Sequence, residues 1–490
     1  MKPVWRVADV RAAEAGLMAT LPPGTLMKRA AAGLARRCAL LLADRGGVYG
    51  ARVLLLVGTG DNGGDALYAG ALLAGRGAAV SALPLTPGRA HAEGLAALRA
   101  AGGRLVDAPP ATVDLVLDGI VGIGGTGGLR EAADRLADRL PELTGRNGDR
   151  ATVVAVDVPS GVAVDTGGVP LSASGRPVAV RADVTVAFGA LKPGLVVGPA
   201  APLAGHVELV DIGLGPWLRG TPALRVTEWS DVVEWWPKLG PASEKYSRGV
   251  VGVATGSATY PGAAVLSVGG ALAGPTGMVR YAGSAREEVV RRHPSVIATG
   301  RVADAGRVQA WVCGSGLGTG EEAAAELRAV LAAPVPVVLD ADALTLLVDG
   351  SLADRLRGRD APIVVTPHDR EFSRLCGEEP GGDRVSAVLR LAAWMNATVL
   401  LKGDRTIIGT PDGRAYVNPT GSPALATGGT GDVLAGLLGS LLATGLAPER
   451  AAATAAYLHG LAGREAARLG PVTAPDVADA LRPVIAPLVD

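Results

Sequence analysis

Short, continuous apolar runs alternate with Ala/Leu-rich stretches along most of the chain. In the first half "RVLLLVGTG" (52–60) leads into "DALYAGALLA" (65–74) and then "AAVSALPL" (78–85); "DLVLDGI", "ATVVAVDVPSG", "ADVTVAFGA" and "HVELVDIGL" follow. Runs that are apolar at every position, rather than every second one, suit strands covered on both faces. The pattern therefore predicts parallel sheets layered between helices, an α/β chain. Residues 7–42 read as two helices broken at "LPPG". Near residue 215 the alternation lapses into a tryptophan-rich stretch, and from Gly249 it resumes with "VVGVATGS", "GMVRYAG", "AWVCGSGLG", "VPVVLDADAL", "PIVVTPHDREF" and "ATVLLKGDRTII". "TIIGTPDGRAYVN" reads as a hairpin turning at Pro-Asp-Gly. Two domains are expected, residues 1–220 and 221–490.

Composition narrows the class. A chain of 490 residues exceeds one ordinary core, which agrees with two domains. Its formal net charge is zero with both signs interspersed, so no electrostatic footprint for nucleic acid or an anionic membrane is expected. Cys38, Cys313 and Cys376 are scattered without metal-ligand spacing and read as thiols of a reducing compartment. No signal peptide or membrane-spanning run is evident, and a soluble, cytoplasmic protein is expected.

In open α/β sheets ligands gather beyond the carboxyl ends of strands. In the second half "GSGLG", "DAD", "TPHDRE" and "KGDRT" all follow predicted strands and outline a cleft rim. "ATGGTGDVLAG" (426–436) places glycines and Asp432 before a helix apolar on nearly all sides. Gly429, Thr430 and Gly431 permit close backbone approach, and the free first-turn amides form an anion hole for a phosphoryl group. Asp432 suits a general base taking the proton of an attacking hydroxyl; alone, it would read as a helix cap. His368 reads equally as a site residue or a structural one. Asp340 and Asp342 read equally as water-mediated magnesium positioners or helix caps.

The first half carries a second rim. Asn62, Gly63, Gly64 and Asp65 join a glycine turn to polar side chains, Asp118 ends a strand before a glycine loop closing at Arg130, and Asp157 and Ser160 end another strand. The set suits a phosphorylated ligand and a hard cation.

The ordered motifs from Lys245 onward, "YSRGVVGVATGSATYPGAAVLSVGGAL", "CGSGLG", "LDADAL", "TPHDREFSRL", "LLKGDRT" and "GSPALATGGTGDVLAGLLGSLLA", resemble the ADP-dependent NAD(P)H-hydrate dehydratases of the ribokinase-like superfamily. The resemblance implies a ribokinase-like α/β/α domain that dehydrates the 6S hydrates of NADH and NADPH (NADHX and NADPHX), with ADP and Mg2+, yielding AMP and phosphate. It implies adenine-nucleotide binding by Lys402, Gly403, Asp404, Arg405, Thr406, Gly429, Thr430 and Gly431. Hydrate contacts would come from Ala263, Gly316, His368 and Asp432. Asp369 and Arg370 stand where the family usually has Pro-Gly, and Asp404 and Arg405 where small residues are commoner.

The first 220 residues resemble the NAD(P)H-hydrate epimerases through "GTGDNGGDA", "AVDVPSG" and "TVAFGALKPG", with Asp61 for the family's usual Asn and Ala66 for its usual Gly. That implies a Rossmann-like three-layer α/β/α domain with K+ held by Asn62, Asp118 and Ser160. The hydrate would lie against residues 62–65, the loop Gly122, Ile123, Gly124, Gly125, Thr126, Gly127 and Gly128, and Asp157, the candidate acid/base. Spontaneous hydration gives both epimers and a dehydratase uses one, so the pairing would repair the whole pool. A homo-oligomer is expected. The alternatives are a small-molecule kinase with a regulatory first domain, and a first domain that binds without catalysis.

Overall fold

The computed structural model describes residues 1–348 and 351–489. The chain forms two compact units, one comprising Pro3–Ala223 and the other Met1–Lys2 with Leu224–Asp490. Among the described residues no helix is long and apolar enough to cross a membrane.

The N-terminal unit holds a seven-stranded, all-parallel sheet. Its strands are β1 (Arg52–Val57), β2 (Ala79–Pro84), β3 (Arg104–Leu105), β4 (Leu115–Gly119), β5 (Thr152–Val156), β6 (Val184–Phe188) and β7 (His206–Val210). They lie in the order β3-β2-β1-β4-β5-β6-β7, so the winding direction reverses between β1 and β4. The unbroken apolar run of β1 has the expected cause: Val53, Leu55 and Val57 join one buried cluster, and Leu54 and Leu56 join another. Helices α1 (Val7–Met18) and α2 (Thr25–Ala43) flank the "LPPG" break, α3 (Asp61–Ala74) follows β1, and α4 (Ala92–Ala100) follows β2.

In the C-terminal unit the strands are β8 (Leu224–Val226), β9 (Val250–Ala254), β10 (Met278–Ala282), β11 (Ile297–Thr299), β12 (Ala310–Cys313), β13 (Val337–Leu339), β14 (Ile363–Val365), β15 (Thr398–Leu401), β16 (Ile407–Gly409) and β17 (Ala415–Val417). They lie in the order β8-β17-β16-β15-β14-β13-β12-β9-β10-β11. Pairing is parallel from β15 to β11, while β15–β16 and the hairpin β16–β17 at Pro411-Asp412-Gly413 are antiparallel. The winding reverses between β9 and β12.

Helix α5 (Pro261–Ala273) follows β9, α6 (Asp369–Cys376) follows β14, and α7 (Thr430–Ala443) packs on the sheet with α5. Every residue of α7 from Val433 to Ala443 is buried, which explains a sequence with no polar face.

Candidate active sites

The β1–α3 turn requires glycine for space. A Cβ on Gly58 would lie 1.8 Å from the Ile120 carbonyl, and one on Gly63 would lie 2.4 Å from the Gly58 carbonyl. The start of α3 is thus pressed against the ends of β1 and β4, at the reversal point where open α/β sheets bind ligands. A cavity of about 570 Å³ opens there. Asn62, Asp65, Gly122, Ile123, Gly124 and Asp157 all line it. Gly63 and Gly64 do not: Gly64 faces Met27 and His91 on the other side of α3. The rest of the glycine loop turns away, with Thr126 bridging to Ala163 and the Gly128 N–H donating to the Gly161 carbonyl at 2.7 Å.

Asp157 sits at the end of β5 with φ +67°, a left-handed backbone that Asp tolerates better than most side chains. Its Oδ1 accepts from the Phe188 N–H at 3.0 Å and from Lys192 Nζ at 2.5 Å. Lys192 is 1% exposed and donates also to the Phe188 carbonyl at 3.0 Å. A buried lysine so enclosed fixes the position of the carboxylate and pairs with it.

Asp65 stands opposite in character. Burial first, then the surrounding Asp157, Asp61 and Glu14 carboxylates, hold its carboxyl well above the ordinary range, and its Oδ1 has no protein partner. The cavity therefore pairs an ion-paired carboxylate with one biased toward its neutral, donating form.

Beneath the loop, Asp118 is fully buried. It accepts the Ser160 hydroxyl at 2.6 Å and the Ser160 N–H at 2.8 Å, yet burial pushes its carboxyl up to about 6. Ser160 Oγ also meets the Val121 carbonyl at 3.2 Å, and the buried amide nitrogen of Asn62 has no partner. Turning that amide over presents an oxygen instead. Carboxylate, hydroxyl, carbonyl and amide oxygens fit a hard monovalent cation. Among the described residues no group of three His, Cys, Asp or Glu side chains is placed to hold a metal.

Sequence reasoning missed Lys192, Arg11 and Glu14. The first was signalled by a lone cation inside the apolar run "VAFGALKPGLVV"; the other two lie on an amphipathic helix that gives no sign of a site. Arg130, the basic residue expected at the rim, is exposed at the start of the helix Glu131–Arg139. Ala66, in place of the usual glycine, is buried against Gly119 without lining the cavity.

The second site lies at the carboxyl ends of β9 and β12–β15. Asp340, 2% exposed, receives Thr366 Oγ1 at 2.8 Å, Lys402 Nζ at 2.7 Å and Ser315 Oγ at 3.1 Å. Lys402 Nζ also lies 3.6 Å from Glu371. Burial alone would favour the neutral amine, but Asp340 and Glu371 outweigh it and hold Lys402 more firmly charged than an ordinary lysine. A Cβ on Gly431 would lie 3.5 Å from that ammonium, so it sits at the mouth of α7.

At that mouth the N–H groups of Asp432 and Val433 turn back to the Gly429 carbonyl, whereas among the described residues no protein acceptor takes those of Thr430 and Gly431. Two free amides and an ammonium form the anion hole. Asp432 stands at its edge, where burial first and then Asp340 raise its carboxyl to about 7. The side faces of Gly429 and Thr430 are structural. Gly429 faces Leu266 and Ala474, and the Thr430 hydroxyl donates to the Leu425 and Thr427 carbonyls.

Ala263 and Gly316 meet directly: a Cβ on Gly316 would lie 2.8 Å from the Ala263 Cβ. His368 joins the cluster through Glu371. Its Nδ1 accepts the Arg370 and Glu371 N–H groups at 3.1 and 3.2 Å, a cap on α6, and its Nε2 lies 3.5 Å from the Glu371 carboxylate. Asp342 accepts the Gly318 N–H at 2.9 Å, steadying the "GSGLG" loop. In "KGDRT", Thr406 Oγ1 donates to the Gly403 carbonyl and Arg405 to that of Pro419. Of the unusual acids, Asp369 takes a two-pronged bond from Arg384 at 2.9 and 2.6 Å, and Asp404 lies 3.6 Å from its neighbour Arg405.

Two family models match the chain: that of the NAD(P)H-hydrate dehydratases over residues 251–482, and that of the YjeF-related protein N-terminus over residues 23–194. The bifunctional NAD(P)H-hydrate repair enzyme Nnr of Mycobacterium tuberculosis is 50% identical over 454 residues, 92% of this chain and 92% of the relative. The enzyme of the same name from Corynebacterium glutamicum is 37% identical, covering 90% of this chain and 87% of its own length. Among solved structures, a ribokinase-like superfamily protein from Enterococcus faecalis V583 superposes with TM-score 0.50 at 26% identity, over 55% of this chain and 98% of that one. With two domain models in this order and relatives aligned nearly end to end, the chain belongs to the bifunctional NAD(P)H-hydrate repair enzymes.

Proposed function

We propose that the N-terminal unit interconverts the 6R and 6S hydrates of NADH and NADPH, and that the C-terminal unit dehydrates the 6S form at the expense of ADP, giving AMP and phosphate. The carrying observation is Asp432, a carboxyl poised near 7 beside two free amides and the Lys402 ammonium. The hydrate hydroxyl gives its proton to Asp432 as its oxygen bonds to phosphorus and AMP departs. Phosphate then leaves, a proton is lost from the adjacent ring carbon, and the double bond returns. Asp340 holds Lys402 in place and charged. It is engaged by three donors and Asp342 by a loop amide. Magnesium would therefore enter on the nucleotide phosphates with its own waters.

In the N-terminal unit Asp157, held by Lys192, is the acceptor and Asp65 the donor for loss and return of hydroxide at the hydrated carbon. Asn62, Asp118, Ser160 and the Val121 carbonyl would hold potassium, which supplies fixed positive charge below the phosphate-facing loop.

The test is recovery of NADH absorbance from separate 6R and 6S NADHX, with magnesium and either ADP or ATP. Recovery from both epimers with ADP supports both activities. Recovery from 6S alone makes the N-terminal unit a binding module. No recovery with either nucleotide favours a small-molecule kinase.

A further inference from the structure

A second cavity, of about 650 Å³, adjoins the first in the N-terminal unit. Met18, Leu26, Met27 and Asp61 border both, so the two are compartments of one groove. The far compartment is walled by the Pro22-Pro23-Gly24 turn and by Tyr68 and His91. Its floor explains Gly64: a Cβ there would lie 3.0 Å from the Met27 methyl and 3.2 Å from the His91 ring. The Tyr68 and His91 rings pack edge to face, with centroids 5.9 Å apart. His91 Nδ1 accepts the Gly94 N–H at 3.1 Å, fixing the ring, and Tyr68 Oη reaches Glu93 at 3.3 Å. Lys28 stands on the rim.

At the seam lies the start of α3. Among the described residues no carbonyl accepts the backbone N–H groups of Asp61 and Asn62. The groove thus reads, from one end to the other, as carboxylates around Asp157, unpaired amide donors, then a fixed aromatic and thioether shelf with polar edges. A dinucleotide has the same order: a reacting nicotinamide nucleoside, a pyrophosphate, and a flat purine nucleoside.

We propose that the far compartment seats the adenosine half of the dinucleotide hydrate, its purine against Tyr68, His91 and Met27, while the nicotinamide half lies at Asp157. This rests on the epimerase reading above.

The test compares kcat/KM for epimerisation of NADHX with that for the hydrate of reduced nicotinamide mononucleotide, which lacks the adenosine half. The wild-type chain is expected to prefer the dinucleotide, and Tyr68→Ala and His91→Gln to lower that preference about tenfold, the size of one lost aromatic contact. The preference is a ratio, so partial loss of folded protein does not change it. A wild type with no preference, or a ratio unmoved in both variants, overturns the proposal. Absence of epimerisation with either substrate in the wild type removes the epimerase reading itself, and the proposal with it.

Discussion

The two carboxylates at the centres of the sites are controlled in different ways. Asp157 is held by a buried lysine, whereas Asp432 is pushed up to about 7 by burial and by Asp340. If Asp432 takes the hydroxyl proton, dehydratase kcat/KM falls about tenfold per pH unit below about 6, and Asp432→Asn lowers kcat by about 10²–10⁴-fold at constant nucleotide KM. Stability shifts the other way. A carboxyl with a raised folded-state pKa binds its proton more tightly in the native state, so its contribution to stability declines as pH rises from about 4 through about 7. Asp432→Asn is therefore expected to melt higher than wild type at pH 8, with the gap closing by pH 4. Asp61, exposed at the seam of the epimerase groove, places a negative charge beside a polyanionic substrate. Asp61→Asn should lower KM for the hydrate about two- to fivefold, less so at high salt.

The candidate residues were legible in the sequence where a carboxylate falls at a strand end, as at Asp118 and Asp157, or at a glycine-rich helix start, as at Asp432. Partnership was not. Lys192 and Asp157 are 35 positions apart, and Lys402 and Asp340 are 62 apart. No local pattern pairs them. His368 was found by motif, but its cap on α6 emerges only from the geometry of its ring.

At the scale of elements, apolar periodicity predicted strands and helices because both faces of each sheet are covered. Which side of a glycine-rich helix meets a ligand was not legible. The same motif places Asn62 and Asp65 toward the cavity and Gly63 and Gly64 toward packing, since successive helix positions turn by about a quarter circle. Helices α5 and α7 show another use of glycine: a Cβ on Gly436 would lie 1.9 Å from the Ser267 carbonyl, and one on Gly270 would lie 2.1 Å from that of Val433. The backbones touch, and α7 brings Asp432 to the site. Gly436→Ala is expected to destabilise the C-terminal unit by about 1–3 kcal/mol or more and to displace the anion hole. Thermal unfolding and dehydratase assays should both register the loss while epimerisation persists.

For the whole molecule, each unit has its own sheet, core and candidate site. The activities should be separable by single substitutions. Given a mixture of 6R and 6S NADHX with ADP and magnesium, Asp157→Asn should quickly recover only the 6S share. The remainder should then return at the slow spontaneous rate. Asp432→Asn should recover none but still bring either epimer to the equilibrium mixture. Wild-type yields from the first variant would take Asp157 out of the chemistry.

The left-handed backbone at Asp157 has a consequence for descent. The turn after β5 constrains the residue by conformation as well as by chemistry, and the first constraint survives loss of the second. Asparagine and glycine meet it readily, while valine and isoleucine do not. A descendant of this domain that has stopped catalysing and survives as a scaffold should therefore carry asparagine or glycine at that position. A β-branched residue there would show that the turn itself had been rebuilt.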